Sequence, residues 1–131
     1  MLKQMTLRAM IVDDNQEFLE AARHMLEREG INVVAIASTG AQALRSADEH
    51  DPDVVLLDVG LGDESGFDVA VRLTAAEGRA RRVVLISARS EEDLRDLIAE
   101  SPAIGFVAKS RLSAPAILGL LGCGNGSSAS G

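Results

Sequence analysis

Five short apolar runs recur along the chain, LRAMIV (7–12), INVVAIA (31–37), DVVLL (53–57), RVVLI (82–86) and IGFVA (104–108). Most are rich in Val and Ile and lack strict polar alternation, as expected of strands covered on both faces. Helical start signals lie between them. Asn15 can cap a helix that places Phe18, Ala22 and Met25 along one stripe. Thr39 with Gln42, Ser65 with Asp68 and Ser90 with Asp93 resemble capping boxes, and Gly30 stands where a C′ glycine would end the first helix. A βα pattern repeated five times predicts an α/β fold, a five-stranded parallel sheet flanked by five helices on both faces.

The 131 residues fit one domain with a real core. A formal net charge of −7 argues against non-specific nucleic-acid binding and suits a protein that meets metal ions or basic surfaces. No apolar run approaches the roughly 20 residues of a membrane span, and the N-terminal apolar stretch meets Asp13 and Asp14 too soon for a secretory signal. One cysteine, Cys123, fits a reducing cytosol, so a cytoplasmic location without membrane contact is expected. With only His24 and His50 beside it, any metal should be a hard cation held by oxygens. The last helix falls within 113–121, SAPAILGLL, and is unusually apolar. The expected organisation is a domain over 1–121, followed at 122–131 by a flexible Gly/Ser tail, a linker or a cloning remnant.

Chemistry concentrates where strands end. In LLDVGLGDESG (56–66) an apolar run ends in Asp58 and passes directly into a glycine-rich turn. An ionised carboxylate at the edge of a core needs a partner or a metal. Open parallel sheets bind ligands beyond the carboxyl ends of their strands, where strand order reverses. In the flavodoxin-like order 2-1-3-4-5 that point lies between strands 1 and 3, so Asp13 and Asp14 would meet Asp58. Crowded carboxylates raise one another's pKa, and Mg2+ is a suitable remedy because it takes a few carboxylates and also accepts phosphate oxygens. Ser87 and Lys109 end strands 4 and 5. A hydroxyl and an ammonium there would complement a phosphoryl group, with Asp58 as nucleophile.

The four segments MIVDDNQEFL, VVLLDVGLGDESG, VVLISA and GFVAKS, in that order, resemble the receiver domain of two-component response regulators. The likeness covers about residues 7–121. It implies that Asp58 is the phosphoacceptor, taking phosphate from a sensor histidine kinase or a phosphotransfer protein in a phosphorelay. It implies Mg2+ held by Asp13, Asp14, Asp58 and the Gly60 backbone carbonyl, with Lys109 on the phosphoryl oxygens. Ser87 would move to the phosphate and Phe106 would turn inward as the aromatic switch, while Ala88 leaves room beside the site. The output face would be helix 4, strand 5 and helix 5, roughly residues 90–121, available to a second copy or an effector domain. Such a protein is a switch with slow Mg2+-dependent self-phosphorylation and autodephosphorylation rather than an ordinary enzyme.

The chain departs from the family pattern at Ser110 and Gly62, where proline is common. Those departures leave room for a pseudo-receiver, an interaction module of the same fold that turns over no phosphate. An aspartyl-phosphate phosphatase is disfavoured because Gly60 stands where a second acid is expected. A flavodoxin is disfavoured by the lack of a phosphate loop after strand 1 and of Trp or Tyr. Ile117, Leu118, Leu120 and Leu121 cannot all face the sheet, so a dimer or domain contact is expected there.

Overall fold

A computed structural model describes residues 6–75 and 81–122 of the chain. Strands and helices alternate as β1 (Arg8–Val12), α1 (Gln16–Arg28), β2 (Asn32–Ala37), α2 (Gly40–His50), β3 (Val54–Asp58), α3 (Gly66–Thr74), β4 (Arg82–Ser87), α4 (Arg95–Glu100), β5 (Gly105–Ala108) and α5 (Ala114–Leu121). The five strands are parallel and lie in the order β2-β1-β3-β4-β5. A two-residue antiparallel ladder, Gly60–Leu61 with Glu64–Ser65, stands apart from that sheet. Each strand lies within one residue of the run that predicted it. Among the described residues, no helix is long and apolar enough to cross a membrane.

Alternate residues of the same strand enter different cores, which explains why the runs lack polar alternation. Ala9 and Ile11 of β1 join Val54, Leu56, Val84 and Ile86 under α1 and α5. Met10 and Val12 join Val55, Leu57, Val83 and Leu85 under α2 and α3. Burying both faces leaves a strand no place for a polar residue until it reaches the sheet edge. The side chains of Met10, Ile11, Leu56, Leu57, Leu85 and Ile86 are fully enclosed, each contributing about 1.5–3 kcal/mol by leaving water.

The helix signals are realised with small rotations. Asn15 caps α1 by accepting from the Phe18 N–H at 3.1 Å, but the buried stripe is Leu19, Ala22 and Leu26, with Phe18 and Met25 only half-covered at its flank. Gly30 and Ile31 donate back to Glu27 and Leu26, the paired bonds of a Schellman ending, and Ile31 and Leu26 share one core. Thr39 accepts from the Gln42 N–H as expected, while the Gln42 side chain returns to the backbone of Ser38 rather than of Thr39. Ser65 accepts from Phe67 rather than Asp68. Ser90 does accept from Asp93, but a 3-10 turn at Glu92–Leu94 comes first and α4 is only six residues long. In α5, Ile117 is fully buried while Leu118, Leu120 and Leu121 are half-exposed, so the four do not share one covered face. Gly122 closes that helix; residues 123–131, the expected tail with Cys123, lie outside the described residues.

The backbone leaves no room for a side chain at Gly66, the first residue of α3. A Cβ there would collide with the Asp58 carbonyl oxygen and the Val59 Cα, both of which belong to the main chain and cannot rotate aside. Gly30, by contrast, has a positive φ of +96° and open space around it. Gly66→Ala is therefore expected to lower stability by about 2–3 kcal/mol through overpacking, and Gly30→Ala by only about 1 kcal/mol through backbone strain. Denaturant unfolding of the two variants checks this, and an equal loss in both would show that crowding at Gly66 is relieved.

Candidate functional site

Four strands deliver polar groups to the same edge. The Asp13 N–H still bonds the Ala37 carbonyl of β2 at 3.0 Å, which holds the residue in line with the sheet just past β1. Asp58 is the last residue of β3, paired in register with Ile86, and Ser87 is the last of β4, paired with Ala108. Lys109 follows at the end of β5 and opens a short 3-10 turn, Lys109–Arg111. Because β1, β3, β4 and β5 are neighbours in that order, carboxylates, hydroxyl and ammonium converge without any long loop.

Oxygens of Asp13, Asp14 and Asp58 lie within 4.8 Å of one another. Asp13 is fully enclosed and Asp58 nearly so, while Asp14 is exposed. The Lys109 Nζ stands 2.6 Å from Asp13 Oδ2 and 3.7 Å from Asp58 Oδ2. Asp13 Oδ1 accepts the Asn15 N–H at 2.9 Å, but Oδ2, though buried, has no partner in hydrogen-bond geometry beyond that ion pair. One ammonium facing three carboxylates leaves two negative charges unbalanced. At this spacing the buried pair Asp13 and Asp58 repels by about 3.5 kcal/mol or more at an effective dielectric near 20. Asp58 accordingly has its pKa pushed up to about 6: burial is the main cause and the Asp13 charge the next, partly offset by Lys109 and by a hydrogen bond from the Gly60 N–H. An all-oxygen donor set with surplus negative charge, one buried oxygen of which has only the Lys109 ammonium as partner, fits a hard divalent cation.

Ser87 and Ala88 lie with Lys109, Gly60, Gly62 and Phe67 on the wall of an adjoining cleft of about 540 Å³. The Ser87 Oγ accepts the Arg89 N–H at 2.9 Å, which leaves its own proton to donate. Phe106 is not in this cleft. It is half-buried against the core under α2 and α3, and it lines a separate groove with Ser90, Glu91, Ala116 and Leu120. His24 and His50 take no part in the acid cluster.

The two departures from the family pattern have definite forms here. Every described peptide bond is trans, Lys109–Ser110 included. Gly62 sits at φ +66° in the two-residue turn of the Gly60–Ser65 ladder, a conformation closed to proline, whose ring fixes φ near −65°. The loop after Asp58 is thus a paired hairpin. Glu64, in its second arm, accepts the Gly40 N–H at the start of α2 at 2.8 Å.

Three neighbours of the site carried no signal in the sequence. Gly66 packs onto the Asp58 backbone, Glu64 ties the hairpin to α2, and the Phe18 ring faces the Lys109 ammonium at 4.4 Å. A glycine closing a turn, a surface acid and an apolar residue on a helix stripe each have commoner uses. Only tertiary placement separates them.

The fold has counterparts among known proteins. A family model described as the response regulator receiver domain matches residues 9–117, and the chain belongs to that family. Among curated relatives, the transcriptional regulatory protein KdpE of Mycobacterium tuberculosis is 41% identical over 105 residues, covering 80% of this chain and 45% of KdpE. The transcriptional regulatory protein CreB of Escherichia coli is 39% identical over 99 residues, covering 76% of this chain and 42% of CreB. The chain thus spans less than half the length of these relatives. Among solved structures, the receiver domain of the putative response regulator NarL from Mycobacterium tuberculosis superposes with a TM-score of 0.77 at 30% identity, covering 92% of this chain and 97% of that one. Residues 9–117 thus form a response regulator receiver domain.

The raised Asp58 pKa has a thermodynamic consequence. Between the ordinary carboxylate value, 3.8, and about 6 the folded chain binds a proton that the unfolded chain has released. Stability from this group is therefore full below the lower value and lost as pH rises through about 6. In metal-free buffer at pH 7.5, Asp58→Asn should be more stable than the wild type by about 1–2 kcal/mol, and the gain should shrink as pH falls from 6 towards 4. Thermal unfolding across that range checks it; a gain independent of pH would show that Asp58 is not strained by charge.

Proposed function

We propose that this receiver accepts a phosphoryl group on Asp58 from a histidine kinase or phosphotransfer protein in the cytoplasm and passes the signal to an effector. The observation that carries the reading is the meeting of three carboxylates within 4.8 Å around an ammonium at 2.6 and 3.7 Å, at one sheet edge. A carboxylate oxygen of Asp58 attacks the phosphorus of a phosphohistidine. The P–O bond forms as the P–N bond breaks, its electron pair stays on the imidazole nitrogen, and that nitrogen takes a proton. Later attack by water on phosphorus returns the carboxylate and releases inorganic phosphate.

Asp13, Asp14, Asp58 and the Gly60 carbonyl would hold Mg2+. When bound, that ion offsets the surplus negative charge and the charge on the phosphoryl oxygens. Lys109, 3.7 Å from the Asp58 carboxylate, would contact the phosphoryl oxygens, and the Ser87 hydroxyl, with its proton free, would donate to one of them. Asp58 must be ionised to attack, and the Gly60 N–H and the Lys109 charge favour that form against burial. Ser87 and Phe106 then carry the change to α4, β5 and α5, where a second copy or an effector domain reads it. A ligand shifts such an equilibrium only through unequal affinity for the two states, and the phosphate contacts with Ser87 and Lys109 supply the inequality.

Amide NMR with Mg2+, before and after beryllofluoride, on wild type and Asp58→Asn tests this reading. The expected result is a set of shifts, present only in the wild type, that runs from Asp58 through Ser87 to Phe106 and α4. If the wild-type spectrum stays unchanged, the chain works without phosphate as an interaction module.

A further inference from the structure

We infer that Phe18 is a positioning residue for Lys109, its ring holding the ammonium in the crevice where the phosphoryl group is transferred. The inference rests on the phosphoacceptor reading of Asp58. A lysine head group sits on a flexible four-carbon stem and has no inherent direction, and Lys109 begins a single 3-10 turn with no side-chain cap. Its Nζ nevertheless occupies a defined place, 2.6 Å from Asp13 Oδ2, 3.7 Å from Asp58 Oδ2 and 4.4 Å from the centre of the Phe18 ring. That last distance falls within the reach at which a ring quadrupole attracts a cation.

The backbone fixes the ring in turn. Asp13 Oδ1 accepts the Asn15 N–H, Asn15 Oδ1 accepts the Phe18 N–H, the Phe18 ring faces Lys109, and Lys109 returns to Asp13 Oδ2. Four contacts close a circuit whose members lie at the end of β1, the start of α1 and the end of β5. Core packing does not account for the ring by itself. Leu19, Ala22 and Leu26 fill the buried stripe of α1, while Phe18 stays half-covered at its flank with a face left for the cation. Against two unequal anionic partners, the ring supplies attraction from a third direction and keeps the ammonium from settling wholly on Asp13.

The test compares the wild type with Phe18→Leu, which keeps an apolar side chain but loses the π face, and Phe18→Tyr, which keeps both. In wild-type side-chain NMR the Lys109 ε-methylene should show an upfield ring-current shift, lost in the Leu variant and kept in the Tyr variant. Initial rates of phosphorylation by acetyl phosphate with Mg2+ should fall roughly three- to tenfold in the Leu variant and stay within about twofold in the Tyr variant. An unshifted ε-methylene in the wild type overturns the inference, as does an equal fall in rate for both variants. If the wild type takes no phosphate at all, the phosphoacceptor reading fails, while the ring-current shift still decides whether Phe18 holds Lys109.

Discussion

Carboxylates crowded at the end of β1 and β3 face a single ammonium, and that imbalance shapes what surrounds them. Asp13 lies wholly out of water and Asp58 almost so, and both keep oxygens within 5 Å of each other and of Asp14. Such an arrangement is unfavourable for the isolated fold, as the raised pKa of Asp58 records. The neighbouring groups act to contain it: the Gly60 N–H bonds the Asp58 carboxylate, the Asn15 N–H bonds Asp13, and Lys109 bridges the two acids. Stability is surrendered at one edge of the sheet to keep a site that favours added positive charge.

The α/β architecture was legible because its cause is local. Runs such as VVLL and RVVLI are too apolar for a half-exposed strand, and the cap signals of Asn15, Thr39, Ser90 and Gly30 sit where chain direction changes. Knowing that strands end near Val12, Leu57, Ile86 and Ala108 was enough to bring Asp13, Asp14, Asp58, Ser87 and Lys109 to one edge, provided the order was 2-1-3-4-5. That order is the one observed. In α1 the residues Phe18, Ala22 and Met25 do face one core, but the fully buried line is Leu19, Ala22 and Leu26, a detail of rotation that apolar spacing alone does not resolve.

Features that depend on contacts between distant segments were not legible. Nothing in the spacing of Glu64 announces a bond to Gly40, and nothing about Gly66 distinguishes a turn glycine from one pressed against the Asp58 backbone. The loop from Gly60 to Ser65 reads only as a glycine-rich turn, yet it is paired across a two-residue turn that a proline at Gly62 would forbid. In each case the deciding fact is a distance between residues that the local sequence does not encode.

The division of the interior has a mechanical meaning. Each strand sends alternate side chains to opposite compartments, so within β5 Val107 belongs to the core under α1 and α5 while Phe106 packs in the core under α2 and α3. Between the compartments lies only hydrogen-bonded backbone, which shears and stretches little. Phe106 meets α5 only at the groove it shares with Ala116 and Leu120, and the sheet separates it from the side chains that anchor α1, the helix whose first turn carries Asn15 and Phe18. The sheet works as a bulkhead: one compartment can be remodelled while the wall holding the acids stays where it is.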